Sequence, residues 1–265
     1  MTEVTLTLAK PQIDDPEELN RVLQRLVATF DPVAIFLFGS RARSEAWQDS
    51  DYDLMIVLHD GYPREKLKPS VWWPIARSDR IEANVVFSRA SSYAWRRHEV
   101  GTLEYEVEVD GIQLYPSTEP VFPPEGSPHP GVANVKIVRE WLDQVQQDID
   151  AAINCVHGPR AVPSRAAFHV QQASEKLAKG ALVAHRLRPD KTHEIKDVVS
   201  ELPDSFPLKQ CFSALERFSD YAVAFPYPGG QTPAIPSVSE IEGWIAEIET
   251  LKADLERWLK QRQAD

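Results

Sequence analysis

The chain has 265 residues, with 29 Lys plus Arg against 40 Asp plus Glu and a formal net charge of −11. That length admits one large or two modest domains with real cores, and 43% hydrophobic with 26% charged residues is the composition of a folded globular protein. The acidity excludes a long-range field that would draw the chain to nucleic acid or anionic lipid, leaving only a local basic patch open.

At the N-terminus, MTEVTLTLAKPQ lacks the basic start and long apolar core of a secretion signal. The longest apolar run, Val33 to Phe38, is far shorter than the ~20 residues that cross a bilayer. Cys155 and Cys211 make neither a disulfide framework nor a zinc site and suit a reducing compartment, so a cytoplasmic protein is expected. In chain order, helical spacing predicts Pro16–Phe30, a β-type run Val33–Phe38, and a short helix Ser40–Ala46. Asp53–Leu58 and Ile81–Phe87 read as strands, Ser88–His98 as a helix, and Thr102–Tyr115 as a helix followed by a strand. The first half is therefore an α/β arrangement with a sheet, covering residues 1–116.

Leu114 to Val132 holds six prolines and two glycines, which deny regular hydrogen bonding and mark a linker, residues 117–133. From residue 134 to 265 the period is helical. Val138, Trp141, Leu142, Val145, Ile149, Ile153 and Val156 form one stripe; Ala166, Val170, Ala173, Leu177 and Ala181 a second. Phe212, Leu215, Phe218 and Ala222 form a third, and Ile241, Trp244, Ile248, Leu251, Leu255 and Trp258 a fourth. Four stripes predict an all-α up-and-down bundle, so the fold class is α+β.

Chemistry concentrates in Ala34–Leu58. Asp51 and Asp53 project from one face of a strand, because alternate side chains share a face. Two carboxylates so close repel each other unless a divalent cation lies between them, and magnesium prefers hard oxygen ligands. Gly39-Ser40 stands where a strand enters a helix, allowing close backbone approach while N–H groups and the helix dipole face an anion. Ser40 adds a hydroxyl and Arg43 a positive charge, which makes a phosphate cradle; Arg41 is a weaker candidate partner. A third carboxylate on a neighbouring strand would complete a two-metal site. Glu82 and Asn84 share a face and either could point at the aspartate pair, but only Glu82 can act as a base.

Gly39-Ser40-x-Ala42-Arg43 followed by Ser50-Asp51-x-Asp53-Leu54 resembles the signature of the minimal nucleotidyltransferases of the DNA polymerase β superfamily. Ser44 replaces the glycine that often follows the arginine of that motif. Glu82-x-Asn84 resembles the glutamate variant of the third acid in aminoglycoside nucleotidyltransferases. The resemblance implies transfer of a nucleoside monophosphate from an NTP, ATP first among them, to an acceptor hydroxyl with release of pyrophosphate. It assigns two magnesium ions to Asp51, Asp53 and Glu82, and nucleotide binding to Gly39, Ser40 and Arg43.

From about Val135 onward the chain resembles a HEPN domain. The carriers are Phe168-His169-x-Gln171-Gln172-Ala173-x-Glu175-Lys176, Lys191-Thr192-His193-Glu194-Ile195, and Tyr221-Ala222 leading to Tyr227-Pro228. The fused order is similar to that of kanamycin-type nucleotidyltransferases, and homodimerisation through the helices is a partner relation the resemblance suggests. Many HEPN domains are ribonucleases using an arginine and a histidine a few residues apart. Arg188 and His193 have such a spacing, but Pro189 lies between them in an inter-helix connection, and Pro226 stands where the family's arginine is usual. His169 and His193 read as hydrogen-bonded structural histidines, and Gln171, Gln172, Glu175 and Lys176 as a polar groove or a solvated helix face. Trp72, Trp73 and Trp95 are either core residues or a platform for a base or acceptor ring. A second reading is an RNA-binding or regulatory module of a toxin–antitoxin or defence system. Acceptors consistent with the first reading are an antibiotic, a tRNA end and a protein tyrosine.

Overall fold

Asp15 starts the first helix, α1 (Pro16–Phe30), by accepting a hydrogen bond from the Glu18 backbone N–H, with Pro16 at the first helical position and Glu17 and Glu18 in the first turn. Asp31, at φ 45°, ends it in the left-handed conformation. Leu19, Val22, Leu26 and Phe30 recur at steps of three and four and are buried, so one stripe of α1 is available to cover a sheet. The computed structural model describes residues 11–47, 50–78, 80–122, 130–222 and 234–264. It divides into two units, Met1–Ser127 and Pro128–Asp265.

The sheet of the first unit has four strands, β1 (Ala34–Phe38), β2 (Tyr52–Leu58), β3 (Ala83–Arg89) and β4 (Ile112–Tyr115), in the order β3-β2-β1-β4. β1 is antiparallel to β2 and β4, whereas β2 and β3 run parallel. The sheet is therefore mixed. Its parallel step needs a crossover, which runs through a 3₁₀ turn (Arg64–Leu67).

On one face Leu54, Ile56 and Leu58 join Ile35 and Leu37 against α1. On the other, Phe36, Met55 and Val57 meet Ala90 and Tyr93 of one helix and Val107 of another. Burial from both sides explains why β2 is apolar without alternation from Leu54 onward. The remaining helices of this unit are α2 (Gly39–Ala42), α3 (Pro69–Trp72), α4 (Ala90–Arg96) and α5 (Leu103–Asp110). The helix expected over Ser40–Ala46 is thus a single turn. Ser44 breaks it at φ 60°, a conformation glycine adopts without strain, which gives a physical reason for glycine at that place in the resembling family.

The second unit contains α6 (Pro130–His157), α7 (Pro163–Ala184), α8 (Ile195–Ser200), α9 (Lys209–Ser213), a 3₁₀ stretch (Ala214–Ala222) and α10 (Val238–Ala264). The expected stripes on the three long helices are largely buried, with Trp141, Ile153, Trp244 and Trp258 half-buried. Gly180 lets α7 approach α6, since a Cβ there would lie 3.3 Å from the Cβ of Trp141. The third stripe requires a correction. Phe212, Leu215 and Phe218 are fully buried, but they sit on α9 and the 3₁₀ stretch rather than on one long α-helix. Their steps of three suit a helix of three residues per turn as well as an α-helix, so spacing alone did not separate the two.

Helix α6 begins at Pro130, inside the expected linker, because proline is accepted at a first helical position. The linker residues 123–129 lie outside the described residues, as do Pro226, Tyr227 and Pro228. Among the described residues no helix is long and apolar enough to cross a membrane.

Candidate active site

Strand pairing brings the chemical residues to one end of the sheet. Antiparallel register sets Phe38 opposite Asp53, and parallel register sets Asn84 beside Asp53. The turn after β1, the start of β2 and the start of β3 are consequently neighbours. Gly39 has φ +76°, and a Cβ at that position would lie 2.3 Å from Oδ2 of Asp53. No residue with a side chain fits there without displacing the aspartate, so the glycine is required twice, by its backbone and by its neighbour.

Asp53 is half-buried. Burial pushes its carboxyl above the usual carboxylate range and the charge of Asp51 adds to the push, while the Asn84 amide and Arg43 pull the other way without cancelling it. Asn84 Nδ2 donates to Asp51 Oδ2 at 3.3 Å and to Asp53 Oδ1 at 3.2 Å. One amide thus bridges two like charges. Rotating that amide would present its carbonyl oxygen to the same place. Two carboxylates crowded together with an amide able to offer oxygen form a donor set that fits a hard divalent cation.

Glu82 takes a different position from the one its spacing suggested. Its backbone carbonyl accepts the Tyr52 N–H at 2.9 Å, so it does stand beside the start of β2. Its carboxylate, however, accepts from Arg77 Nη2 at 3.2 Å, and it is Asn84 that reaches the aspartates. Among the described residues no three His, Cys, Asp or Glu side chains converge as a metal cluster. The expected trio of acids is therefore not assembled, because a bridge between Arg77 and Glu82 supplies a competing cation.

Of the expected phosphate-binding residues, Ser40 is half-buried in the single turn of α2 and Arg43 caps it, its Nε donating to Glu45 Oε2 at 2.7 Å. A four-residue turn carries little of a helix dipole. What remains for an anion is the turn's backbone, the Ser40 hydroxyl and the Arg43 charge. Arg41 is the residue the sequence undervalued. It is 3% exposed, and its Nε donates to the Ser50 carbonyl at 2.8 Å while Nη1 donates to the Gln12 carbonyl and to Asp14 Oδ2. Its guanidinium also lies 4.1 Å from the centre of the Tyr52 ring. Arg41 ties the turn after β1 to the residues flanking Asp51. Only the pairing of an arginine with an upstream acid, Asp14, could have signalled this, and that signal is weak.

The polar residues singled out in the second unit bond chiefly to one another. Asp148 accepts from Lys176 and lies 3.1 Å from His169 Nδ1. Gln172 donates to Gln171, Gln171 donates to Glu175 at 3.0 Å, and Lys179 donates to Glu175 at 2.8 Å. His193 Nδ1 is 3.2 Å from Glu175. Gln171 and Glu175 are buried, which rules out a solvated face at those two positions. Burial pushes the Glu175 carboxyl up, but Lys179, Gln171 and His193 outweigh it and hold it below the usual range.

Comparison with known proteins now bears on both units. Residues 17–100 match the family model described as Polymerase beta, Nucleotidyltransferase, and residues 138–258 match that of the HEPN domain. The chain joins a polymerase β-type nucleotidyltransferase domain to a HEPN domain. The glycine turn, the two aspartates and Asn84 all lie within the nucleotidyltransferase match, and the network around Glu175 within the HEPN match. A solved structure of an archaeal HEPN homologue is similar at 23% identity, covering 47% of this chain and 96% of its own, with a TM-score of 0.31. No curated protein matches the chain.

Proposed function

We propose that the nucleotidyltransferase domain moves a nucleoside monophosphate from an NTP, ATP in the first instance, to an acceptor hydroxyl. The observation that supports this most is the sheet end itself, where half-buried Asp53 stands next to exposed Asp51 and lies directly against a glycine that has no side chain to displace it. Magnesium would be held by Asp51 and Asp53, with Asn84 or Glu82 as the further oxygen donor. When bound, it supplies charge neutralisation at the phosphates and at the phosphorus under attack. The Gly39-Ser40 turn and Arg43 would bind the β- and γ-phosphates and steady the pyrophosphate as it leaves. The acceptor oxygen forms a bond to the α-phosphorus as the bond to the β-bridging oxygen breaks. Pyrophosphate departs with that electron pair, and the acceptor proton passes to a carboxylate, for which Glu82, at the start of β3, is the candidate outside the aspartate pair.

The test is transfer of label from α-labelled ATP in magnesium to the protein itself, to tRNA and to an aminoglycoside panel. Asp51→Asn and Asp53→Asn are each expected to lower transfer on the order of 10³-fold while leaving the chain folded. Undiminished transfer in both variants would overturn the proposal. The HEPN match favours one further role, recognition of RNA or of a partner by the helical unit. Incubation with labelled RNA in EDTA separates the two, since metal-free cleavage would assign the chemistry to the helices.

A further inference from the structure

Beyond the β3 edge of the same sheet end, Glu82 is joined by two residues that the transfer reaction has not yet used, Trp73 and Arg77. Trp73 is 46% exposed although it is a large aromatic residue. The Arg77 guanidinium lies 3.7 Å from the centre of its ring, and Arg77 in turn holds Glu82 at 3.2 Å. Arg77 and Glu82 are partners in an antiparallel bridge, and Glu82 abuts the start of β2 through its carbonyl. Period two puts Glu82 on the face of β3 that carries Asn84. Indole, guanidinium and carboxylate thus make a ledge that continues the line Gly39, Asp53, Asn84 outward across the sheet. Trp72 meets Trp73 at a tilt, 5.6 Å between ring centres, and itself packs inward against Phe87.

We propose that this ledge is the acceptor subsite, and that it takes a small acceptor built on a flat aromatic ring; the inference rests on the transfer reading above. In-line displacement requires the attacking oxygen to enter opposite the leaving pyrophosphate. With pyrophosphate held on the β1 side, by Gly39, Ser40 and Arg43, the acceptor must approach from the β3 side, where the ledge stands. An aromatic ring stacks on the open part of the Trp73 indole. The Glu82 carboxylate then accepts the hydrogen of a hydroxyl placed between the ledge and the aspartates. The class of ligand follows from charge as well as shape. Arg77 is committed to Glu82, and Asp51, Asp53 and Glu82 together disfavour an acceptor that carries its own phosphates.

Saturation-transfer NMR on the full chain tests the ledge with 2-phenylethanol, and with 2-cyclohexylethanol as its saturated counterpart. The ring protons of 2-phenylethanol are expected to receive saturation, and Trp73→Ala to reduce that signal by about threefold or more, as the loss of a stacking surface requires. Arg77→Gln is expected to weaken it to a lesser degree. Thermal melts confirm that both variants are folded, and the exposure of Trp73 makes its truncation tolerable. Equal signals from the two alcohols, or a signal unchanged in Trp73→Ala, would overturn the subsite. Calorimetric binding of magnesium-ATP keeps the two readings apart. It is expected to be unchanged in Trp73→Ala, so its absence in the wild-type chain would count against the transfer reading and not against stacking on Trp73.

Discussion

The two halves of this chain handle buried and half-buried acids in opposite ways. Glu175, in the helical unit, is nearly enclosed and is met by Lys179, Gln171 and His193, so its charge is stabilised and its carboxyl is held below the usual range. Asp53, at the sheet end, is desolvated and crowded by Asp51, is relieved only in part by one shared amide and the charge of Arg43, and is pushed above the usual range. Burial opposes the charge in both places, and the difference lies in what surrounds it. A carboxylate whose partners are all supplied by its own fold serves that fold. One that the fold leaves in repulsion is arranged for something that arrives from outside.

The largest effect that could break this comparison comes from Gly39→Ala. The added Cβ would collide with Asp53, and the positive φ adds strain. Magnesium-ATP binding, followed by calorimetry, is expected to fall by about 100-fold or more, the consequence of misplacing a site by even an ångström. Wild-type affinity in that variant would mean that the glycine turn is not part of the site.

Next come two matched carboxylate-to-amide changes, with opposite effects on stability. Glu175→Gln leaves Lys179, in a nearly buried place, without its anionic partner and with the Thr192 carbonyl as its remaining backbone acceptor, and is expected to cost about 3 kcal/mol. Asp53→Asn relieves repulsion and is expected to leave the melting temperature in EDTA unchanged or raised. Denaturant unfolding of both variants checks the pair, and equal losses would erase the contrast. The stabilisation from Glu175 is present above pH 4.5, its unfolded value, and is lost as pH falls through its lower folded value.

The smallest effect belongs to His185, which packs against Phe206 and Trp258 with its Nε2 unpartnered among the described residues. Burial, with Arg262 nearby, holds its imidazole below 6.5. A folded state that prefers the neutral ring loses stability as pH falls below 6.5, where the unfolded chain takes up the proton first. His185→Phe is expected to flatten the fall in melting temperature between pH 7 and 5. An unaltered slope would show that this ring does not titrate on unfolding.

Much of the fold was legible in local pattern. The bounds of α1 follow from Asp15, Pro16 and a clean apolar stripe, and the long helices α6, α7 and α10 from theirs. Period two also placed Asp51 with Asp53, and Glu82 with Asn84. What it could not show was which of Glu82 and Asn84 would face the aspartates, because that is decided by Arg77, brought alongside by the chain's return before β3. Arg41 was underestimated for the same reason, since its burial depends on Gln12 and Asp14, far from it in sequence. Periodicity misled at Phe212, Leu215 and Phe218, where steps of three were compatible with two kinds of helix, and overran at Ser40–Ala46, where Ser44 ends the turn.

The central claim is that the sheet end is a nucleotide site whose acids await a cation. It is tested most directly by calorimetric titration of the wild-type chain and Asp53→Asn with a non-transferable ATP analogue carrying a methylene bridge between the α- and β-phosphates. Saturable binding that requires magnesium and disappears in the variant is the expected result. Binding that is indifferent to both magnesium and Asp53, or no binding to the wild-type chain, would contradict it.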